Sequence, residues 1–431
     1  MFKLTKLKVI LIIVTLMLLL CINYLHNINY FSKNSKDIFE NNPSKTFIEL
    51  ETRFNNSQKD VRVAKMKEAK LSDNLILERY NLIEGFYAGI HNLFPGSGYI
   101  DFHGNNLIVL SSRGFLGYSK NISEELKFKK IKNNLNEYIN SAQFNKFYWF
   151  SIKDLYVFNN QIFVSYTEEI KKNCWNTSVL YGDINYEIIN FKKIFTPDIC
   201  IHSSDNVDGE FNAHQSGGKI FNFDENHIIL SVGDYRERHY PQKKNNVNGK
   251  IIKINIKNGK HEIISMGHRN PQGLYFNKEE KFIISTEHGP LGGDEINLIK
   301  INDFNQDKIL NFGWPVVSAG EHYGGKTKEN KKKYKKYPLY KSHTKYGFIE
   351  PLKSFVPSIA ISEITQTKKN KYIFGSMKDK SLYFFELNSD EQITNLRKVS
   401  ISERIRDLIY KNNNVYLFLE DTPSIGVIAI Y

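Results

Sequence analysis

Cysteine is scarce in this chain, with three residues in 431. Cys21 lies within an apolar N-terminal run, and a lipid-modified cysteine is the lesser interpretation there because bulky Leu20 precedes it. Only Cys174 and Cys200 remain for the body of the protein. If the chain is exported, such a pair permits one disulfide closing a loop of moderate length, and two buried free thiols are the equal alternative.

A nucleic-acid-binding module is also lacking, although the formal net charge is +13. The densest basic run, KTKENKKKYKKYPLYKSHTK at residues 326–345, has no such module with stacking aromatics around it. Charge runs of this kind are usually solvated loops, and a patch that attracts acidic lipid, polymer or a redox partner is the alternative. Nucleic acid is therefore not an expected partner.

The sequence has a single long apolar run, Val9–Ile22, which follows Lys3, Lys6 and Lys8. It is near the upper limit of about 15 residues for a cleavable signal and short for a bilayer span of about 20, and no small-residue cleavage site follows it. Residues 1–26 are predicted to be an uncleaved signal anchor, with a cleaved signal peptide as the alternative. Either segment predicts an extracytoplasmic, periplasmic-side protein, anchored to the membrane or secreted.

Glycine is absent from Asn27 to Leu82, where polar sequence includes segments of loose helical periodicity, TFIELETRF and VRVAKMKEAKL. This composition predicts a polar, partly helical stalk over residues 27–83. From Glu84 onward, short apolar runs alternate with turns of Asn, Lys, Asp and Gly, as is typical of strands. The main domain is predicted to span residues 84–431.

A strand–turn–strand pattern recurs along this domain. In each copy a turn rich in Asn, Asp or Lys joins two strands, and the second strand carries Val, Ile, Phe or Tyr. The copies begin at Phe102, Phe158, Phe223, Phe276, Thr367 and Tyr410. Six copies at irregular spacing predict an all-β fold, a six-bladed β-propeller of four-stranded antiparallel blades. In such a ring the loops of one face converge on the axis.

Polar residues interrupt the strand pattern in five stretches: FNAHQSGGKIFNF, MGHRNPQGLYF, STEHGPLGGDEINL, NFGWPVVSAGEHYGG and SERIRDL. The strings GHRNPQGL, EHGPLGGDEINL, NFGWP, AHQSGG and RIRD, in this chain spread over roughly residues 212–421, resemble those of the pyrroloquinoline-quinone-dependent soluble glucose and aldose sugar dehydrogenases. The resemblance implies oxidation of the anomeric carbon of an aldose or oligosaccharide to a lactone. Hydride would pass to pyrroloquinoline quinone, and electrons to an external acceptor.

The resemblance also implies roles for the matched residues. His214 would be the general base that takes the proton of the sugar C1 hydroxyl, and Arg269 would act with it at the quinone. Cofactor contacts would come from Gln215, Arg269, Asn270, Lys378, Arg404 and Arg406. Substrate contacts would come from Gln215, Gln272 and Asp294. Main-chain carbonyls of Gly289 and Pro290 would hold calcium, which prefers oxygen ligands.

Two positions depart from the family pattern. Ala213 stands where an acidic residue often precedes the histidine, and Phe355 stands where the family often carries a tryptophan. A second hypothesis is therefore a non-catalytic extracytoplasmic propeller that binds sugar or protein. A hydrolytic propeller is disfavoured because the sequence shows neither paired carboxylates nor an activated nucleophile.

Overall fold

The structure is a computed structural model that describes residues 60–83, 97–125, 127–139, 151–303 and 309–430. The predicted signal anchor and residues 27–59 of the predicted stalk lie outside these residues. Within them, no helix has the length and apolar character needed to cross a membrane.

Strands dominate the described chain. The first fourteen are β1 (Asp60–Lys65), β2 (Ala69–Lys70), β3 (Ile76–Ile83), β4 (Gly98–His103), β5 (Asn106–Ser111), β6 (Leu116–Ser119), β7 (Lys127–Lys130), β8 (Lys132–Asn133), β9 (Ile152–Phe158), β10 (Gln161–Lys171), β11 (Cys174–Asp183), β12 (Ile188–Ile189), β13 (Lys192–Phe195) and β14 (Ile201–His202). The rest are β15 (Gly217–Asp224), β16 (His227–Val232), β17 (Lys250–Asn255), β18 (His261–Met266), β19 (Pro271–Asn277), β20 (Phe282–Glu287), β21 (Asp294–Lys300), β22 (Leu310–Asn311), β23 (Lys353–Phe355), β24 (Ile361–Lys368), β25 (Lys371–Ser376), β26 (Ser381–Leu387), β27 (Ile393–Ser400), β28 (Ile405–Lys411), β29 (Asn414–Leu419) and β30 (Ser424–Ala429).

Helices in the described part of the chain are at most six residues long. The α-helical turns are α1 (Ile122–Glu125), α2 (Leu135–Tyr138) and α3 (Lys331–Lys336). The 3-10 turns are Ser72–Asn74, Ala213–Gln215, Tyr240–Gln242, Ile301–Asp303 and Thr344–Tyr346. The predicted all-β class is confirmed.

The strands form a series of antiparallel meanders. Four sheets have the strand orders β9-β10-β11-β13, β15-β16-β17-β18, β19-β20-β21-β23 and β24-β25-β26-β27. Asparagine makes some of the tight hairpins possible: Asn159 and Asn160 join β9 to β10, and Asn412 and Asn413 join β28 to β29, all with positive φ. A two-residue turn with positive φ at both positions matches the twist of paired strands, as the Asn-rich turns predicted.

The first strands of the meanders bring the sheets together. Strands β4, β9, β15, β19, β24 and β28 each contact the next, and β28 contacts β4, so the contacts form a closed cycle. Apolar side chains fill the space between neighbouring sheets; Val179 of β11, Leu230 of β16 and Ile254 of β17 belong to one such cluster. The fourth strand of an antiparallel meander ends at the side where its first strand begins, so we infer that the first strands start at one face of this cycle.

Residues 60–83 correct the predicted stalk. Strand β3 pairs with β30, and β1 pairs with both β3 and β7, so the N-terminal strands join the last meander to the first in one ten-stranded sheet. Val61 and Val63 alternate with exposed or half-buried residues, which is the period of a strand rather than of a helix. The folded body therefore begins at least 24 residues before the predicted boundary at residue 84.

Cys174 and Cys200 form a disulfide, with their Cα atoms 5.2 Å apart and a sequence separation of 26. We expect Cys200→Ser to lower the free energy of unfolding by about 3 kcal/mol, because the bond restricts a loop of this length in the unfolded chain. Urea unfolding of the variant, and of the wild type with and without reductant, measures this. Equal midpoints for oxidised wild type and variant would contradict it.

Candidate functional site

Several of the polar stretches found in the sequence lie at the starts of the first strands of the meanders. His214 and Gln215 precede β15, Asn270 precedes β19, and Arg404 precedes β28. Since these starts share one face of the closed cycle, side chains distant in the chain meet there. The meeting place is a cavity of about 300 Å³. Its lining residues are Asn212, His214, Gln215, Arg236, Arg269, Asn270, Gln272, His288, Tyr323, Met377, Arg404, Arg406 and Glu420.

His214 is presented by the short 3-10 turn Ala213–Gln215. The Oδ1 atom of Asn212 caps the turn by accepting from the His214 backbone N–H at 2.8 Å. The chain then enters β15 through Gly217, whose φ is +60° and where a Cβ would lie 2.9 Å from the backbone N of Gly233. Only glycine suits both constraints. The His214 side chain is half-buried at the cavity wall.

Gln215 and Arg269 hold one another in place. With its amide in the orientation that satisfies its neighbours, Gln215 donates to Asp234 Oδ1 at 3.1 Å and accepts from Arg236 Nε at 2.7 Å. In the same orientation its oxygen accepts from Arg269 Nη2 at 2.9 Å. Arg269 Nη1 also donates to the carbonyl oxygens of His288 at 2.8 Å and Gly289 at 2.5 Å. The guanidinium of Arg269 is thus fixed from two sides.

A second series of hydrogen bonds links side chains near the starts of β19 and β28 to the start of β15. Asn270 Oδ1 accepts from the Gly217 N–H at 3.1 Å and from Gln272 Nε2 at 3.0 Å. Gln272 Oε1 in turn accepts from Arg406 Nη1 at 3.5 Å. The amides of Asn270 and Gln272 therefore connect the His214 turn to the arginines of β28.

Arg404 and Arg406 share one buried carboxylate. Arg404 Nε donates to Glu420 Oε2 at 2.8 Å, and Arg406 Nη2 donates to Glu420 Oε1 at 2.7 Å. Burial alone would raise the pKa of Glu420, but the charges of Arg406 and Arg404 lower it below the usual range. Glu420 therefore stays ionised, and one negative charge faces two positive charges.

The cavity carries an excess of positive charge. Among its described lining residues, Arg236, Arg269, Arg404 and Arg406 oppose the single carboxylate of Glu420, so four positive charges minus one leave three. His288 adds a neutral donor or acceptor, since burial lowers its pKa to about 4. Its buried Nε2 has no hydrogen-bond partner among the described residues. An orphaned nitrogen in a lining that carries more positive than negative charge suits a polar anionic ligand.

Four predicted residues do not line the cavity. Lys378 is exposed next to the lining residue Met377. Asp294 is fully buried, and its oxygens accept from Ser358 Oγ and from the N–H groups of Gly289, Ile359 and Ile361. No capacity remains there for a substrate, because the carboxylate anchors the Gly289 loop. Neither Gly289 nor Pro290 lines the cavity, and the Gly289 carbonyl faces Arg269 rather than open space.

The structure places the two departures from the family pattern in different surroundings. Ala213 is fully buried, and a charged side chain would be desolvated in its place. Phe355 packs edge-on against Phe374 and Tyr383 and lies outside the cavity lining.

Sequence reasoning missed six lining residues: Asn212, Arg236, His288, Tyr323, Met377 and Glu420. Arg236 and Arg269 lie over the ring of Tyr323 at 5.0 and 5.8 Å, and the charge of Arg269 lowers the pKa of this phenol. Arg236 has a left-handed backbone with φ of 64°, unusual for a non-glycine residue. The string GDYRERHY carried no visible sign of this conformation.

A buried charge cluster lies on the first strands beyond the cavity. Lys219 Nζ contacts Asp154 Oδ1 at 2.5 Å, Asp407 Oδ1 at 3.1 Å, and Glu363. The oxygens of the three carboxylates lie within 4.8 Å of one another, a spacing that would also suit a metal ion. The ammonium of Lys219 already supplies a cation to them. Burial raises the pKa of Asp154 and Glu363, because one ammonium cannot compensate three carboxylates.

We expect Lys219→Met to destabilise the fold by about 3–5 kcal/mol at pH 8, because removing one partner leaves buried charges uncompensated. The loss should shrink at pH 5, where Asp154 and Glu363, whose pKa values are raised, carry protons and need no counter-charge. Nearby Asp101, whose pKa burial raises to about 7, adds to this trend. A raised carboxyl pKa means that the folded state binds more protons, so these groups favour folding less as pH rises from about 4 to about 7.

Urea unfolding at the two pH values measures the difference between variant and wild type. Lys278→Met, at an exposed position, is the control and should change neither value. An equal loss at both pH values would contradict the carboxylate explanation.

Comparison with known proteins assigns this chain to a family of sugar dehydrogenases. The Glucose / Sorbosone dehydrogenase family profile matches residues 151–428, well over half of the chain. The chain belongs to this family, and its class is that of the oxidoreductases. The resemblance predicted from the five motifs is confirmed.

Individual relatives agree with this assignment. The chain is 24% identical to the aldose sugar dehydrogenase of Escherichia coli over 292 residues, covering 62% of this chain and 72% of the relative. It is 29% identical to an uncharacterised Synechocystis protein over 211 residues, covering 42% of this chain and only 47% of that protein. A 136-residue stretch, 25% of this chain, is 30% identical to quinoprotein glucose dehydrogenase B of Acinetobacter calcoaceticus, covering 27% of it.

Solved structures show the same fold. A glucose dehydrogenase crystal structure aligns with a TM-score of 0.61 at 20% identity, covering 78% of this chain and 96% of that chain. The pyrroloquinoline-quinone-bound aldose sugar dehydrogenase of Streptomyces coelicolor aligns with a TM-score of 0.57 at 14% identity, covering 82% and 98%. At these identities the likeness concerns the fold.

Proposed function

We propose that this protein is a pyrroloquinoline-quinone-dependent aldose dehydrogenase that oxidises the anomeric carbon of a sugar to a lactone. The observation that carries the proposal is the convergence of His214, Gln215, Arg269, Asn270, Gln272, Arg404 and Arg406 on one cavity. Family membership and the names of the relatives support an aldose as the substrate, and an oligosaccharide with an aldose end is the alternative.

We further propose that the closed cycle of sheets is a six-bladed propeller, with β3 as the outer strand of the last blade. The closed order of first-strand contacts supports this arrangement. The protein would act on the periplasmic side of a membrane, attached through residues 1–26 or released after their cleavage. The basic N-terminus and the apolar run after it support export.

The cavity fits the proposed cofactor in charge and chemistry. Pyrroloquinoline quinone is a planar tricarboxylate, and the cavity has three positive charges in excess. Arg404 and Arg406 would hold carboxylates, and Arg269 and Asn270 would contact quinone and carboxylate oxygens. When bound, the cofactor supplies a two-electron acceptor for hydride.

The side chains of this chain would then orient the sugar and move its proton. His214 would accept the C1 hydroxyl proton, a role that suits an imidazole at neutral pH. Gln215 is hydrogen-bonded to Arg236 and Arg269, so its fixed amide would position the sugar and would not transfer a proton. Gln272, between Asn270 and Arg406, would contact the sugar from the opposite wall.

Calcium at Gly289 and Pro290 stays a prediction. The Gly289 carbonyl accepts from Arg269 in this structure, so calcium would require that guanidinium to turn away. With the Gly289 carbonyl in this contact, Gly289 and Pro290 do not form a cation site. The proposed proton transfer does not depend on a bound cation. Asp294 is better suited to anchoring this loop than to binding sugar.

The test combines cofactor binding with turnover. The purified full chain is titrated with pyrroloquinoline quinone by calorimetry, with and without calcium, and dye reduction is then followed with a panel of aldoses. Binding with aldose-dependent reduction supports the enzyme, and the best dye indicates the kind of external acceptor. Sugar binding without cofactor binding would favour the non-catalytic binding module instead.

A further inference from the structure

The basic run at residues 326–345 forms a surface that the proposed sugar chemistry does not use. It contains nine lysines and one glutamate. Four of the lysines pair with carboxylates: Lys333 with Glu210, Lys336 with Asp208, and Lys326 and Lys341 with Glu321. The other five are exposed and make no ion pair with any residue that the structure describes. Four of these five lie in or just before α3 and are called the lysine patch: Lys328, Lys331, Lys332 and Lys335.

The lysine patch borders the mouth of the cavity. Asn330, at the start of α3, donates from Nδ2 to the backbone carbonyl of Tyr323 at 2.9 Å, and Tyr323 lines the cavity. Lys333 of the same helical turn pairs with Glu210, four residues before His214. The patch and the cavity therefore open on the same face of the molecule.

The N-terminal chain joins the body at this same face. Strand β28 starts at the cavity and runs away from it, and β29, β30, β3 and β1 follow in antiparallel order, so β1 also starts on the cavity side. The end of β3 supports this direction, since Asn81 pairs with Ser424, four residues after the lining residue Glu420. Asp60, the first residue of β1, thus lies toward the cavity face.

The two features lie across that face from one another. The patch pairs with residues just before β15, and its segment lies between β22 and β23. In the closed cycle of first strands, β15 and β19 are opposite β28 and β4, whose sheet contains β1. The polypeptide that leads to residue 60 would therefore join the body at one side of the cavity face. The lysine patch lies at the opposite side of that face.

We propose that the cavity face lies against an anionic phospholipid surface, tethered through the N-terminal chain on one side and bound through the lysine patch on the other. This inference rests on the proposed membrane attachment of residues 1–26. Each lysine near an anionic lipid surface strengthens binding about fivefold, and the effect falls off within a Debye length of about 8 Å at physiological salt. Four lysines without carboxylate partners suit such a surface.

The test is amine labelling of the full chain in vesicles. The protein is reconstituted in phosphatidylcholine alone or with phosphatidylglycerol added, and treated with a water-soluble amine reagent. Mass spectrometry gives the labelled fraction at each lysine. The reference set lies in turns at the opposite ends of the strands and is likewise exposed: Lys257, Lys260, Lys278 and Lys369.

We expect labelling of the lysine patch to fall at least about fivefold when phosphatidylglycerol is present, with the reference set unchanged. High salt should restore labelling, because it screens the attraction. Changing all four patch lysines to glutamate should abolish the protection of neighbouring Lys326 and Lys345. Changing the four reference lysines to glutamate alters the net charge equally and should leave that protection intact.

Equal labelling of the patch and the reference set on anionic vesicles would overturn the proposal, as would protection that is the same on neutral lipid. Protection by an acidic soluble protein but not by vesicles would assign the patch to a protein partner and overturn it too. Dye reduction by the same preparation in detergent reports the enzyme separately. An active enzyme without protection refutes only the orientation, and protection without activity refutes only the proposed function.

Discussion

His214→Ala should lower kcat for aldose oxidation by about a hundred- to ten-thousandfold, the range that a positioned general base contributes. The reason is geometric: His214 is an imidazole on the cavity wall, at the start of β15, within the ring of cationic and amide side chains. Binding of pyrroloquinoline quinone should change little, because the excess positive charge comes from the arginines. Steady-state dye reduction and calorimetric titration measure the two effects separately.

The matched control is His227→Ala. His227 lies in the turn at the far end of β15, where its Nδ1 contacts Asp224, so its loss should leave kcat near the wild-type value. Added imidazole should partly restore His214→Ala if the missing group is a base. A His214→Ala enzyme that keeps more than half of the wild-type kcat would refute the assigned role.

A fragment beginning at residue 84 should fail to fold, whereas a fragment beginning at residue 60 should fold. The shorter fragment lacks β1 to β3 and so loses the buried side chains of Val61, Val63, Leu77 and Leu82. Burial of four such aliphatic side chains contributes roughly 6 kcal/mol or more, which is comparable with the whole stability of a typical domain. Removing β3 also exposes the edge of β30.

Circular dichroism and urea unfolding of the two fragments measure this difference. Adding a peptide of residues 60–83 to the shorter fragment should recover part of the β signal, since an extended segment can pair with an open sheet edge. Unfolding midpoints that agree between the two fragments would show that the N-terminal strands are dispensable. That result would return the domain boundary to residue 84.

Much of the candidate site was predictable because its motifs are local. The strings AHQSGG, GHRNPQGL and RIRD each lie at the start of a first strand, and seven residues from them line the cavity. Asp294 lies within such a string and Lys378 lies next to the lining residue Met377, yet one anchors a loop and the other faces solvent. Proximity in sequence could not separate a side chain that points into the cavity from one that points away.

Other features depended on partners far along the chain. The helical interpretation of VRVAKMKEAKL was wrong for Val61 and Val63 because the strands that pair with β1 and β3 are β7 and β30, the latter more than 300 residues away. Arg236, Tyr323 and Glu420 were missed for a related reason. Each becomes a cavity residue only through tertiary contacts: Arg236 contacts Tyr323, Tyr323 contacts Arg269, and Glu420 contacts Arg404 and Arg406.

The sequence by itself determined the all-β class, the family and the residues that begin the first strands, because turn chemistry and motif strings act over a few neighbouring positions. Only the tertiary structure decided which strands close the ring and which charges face one another. It also showed that the lysine run and the start of β1 share the cavity face. Those outcomes arise from strand direction and burial, which are set by packing between segments far apart in the chain.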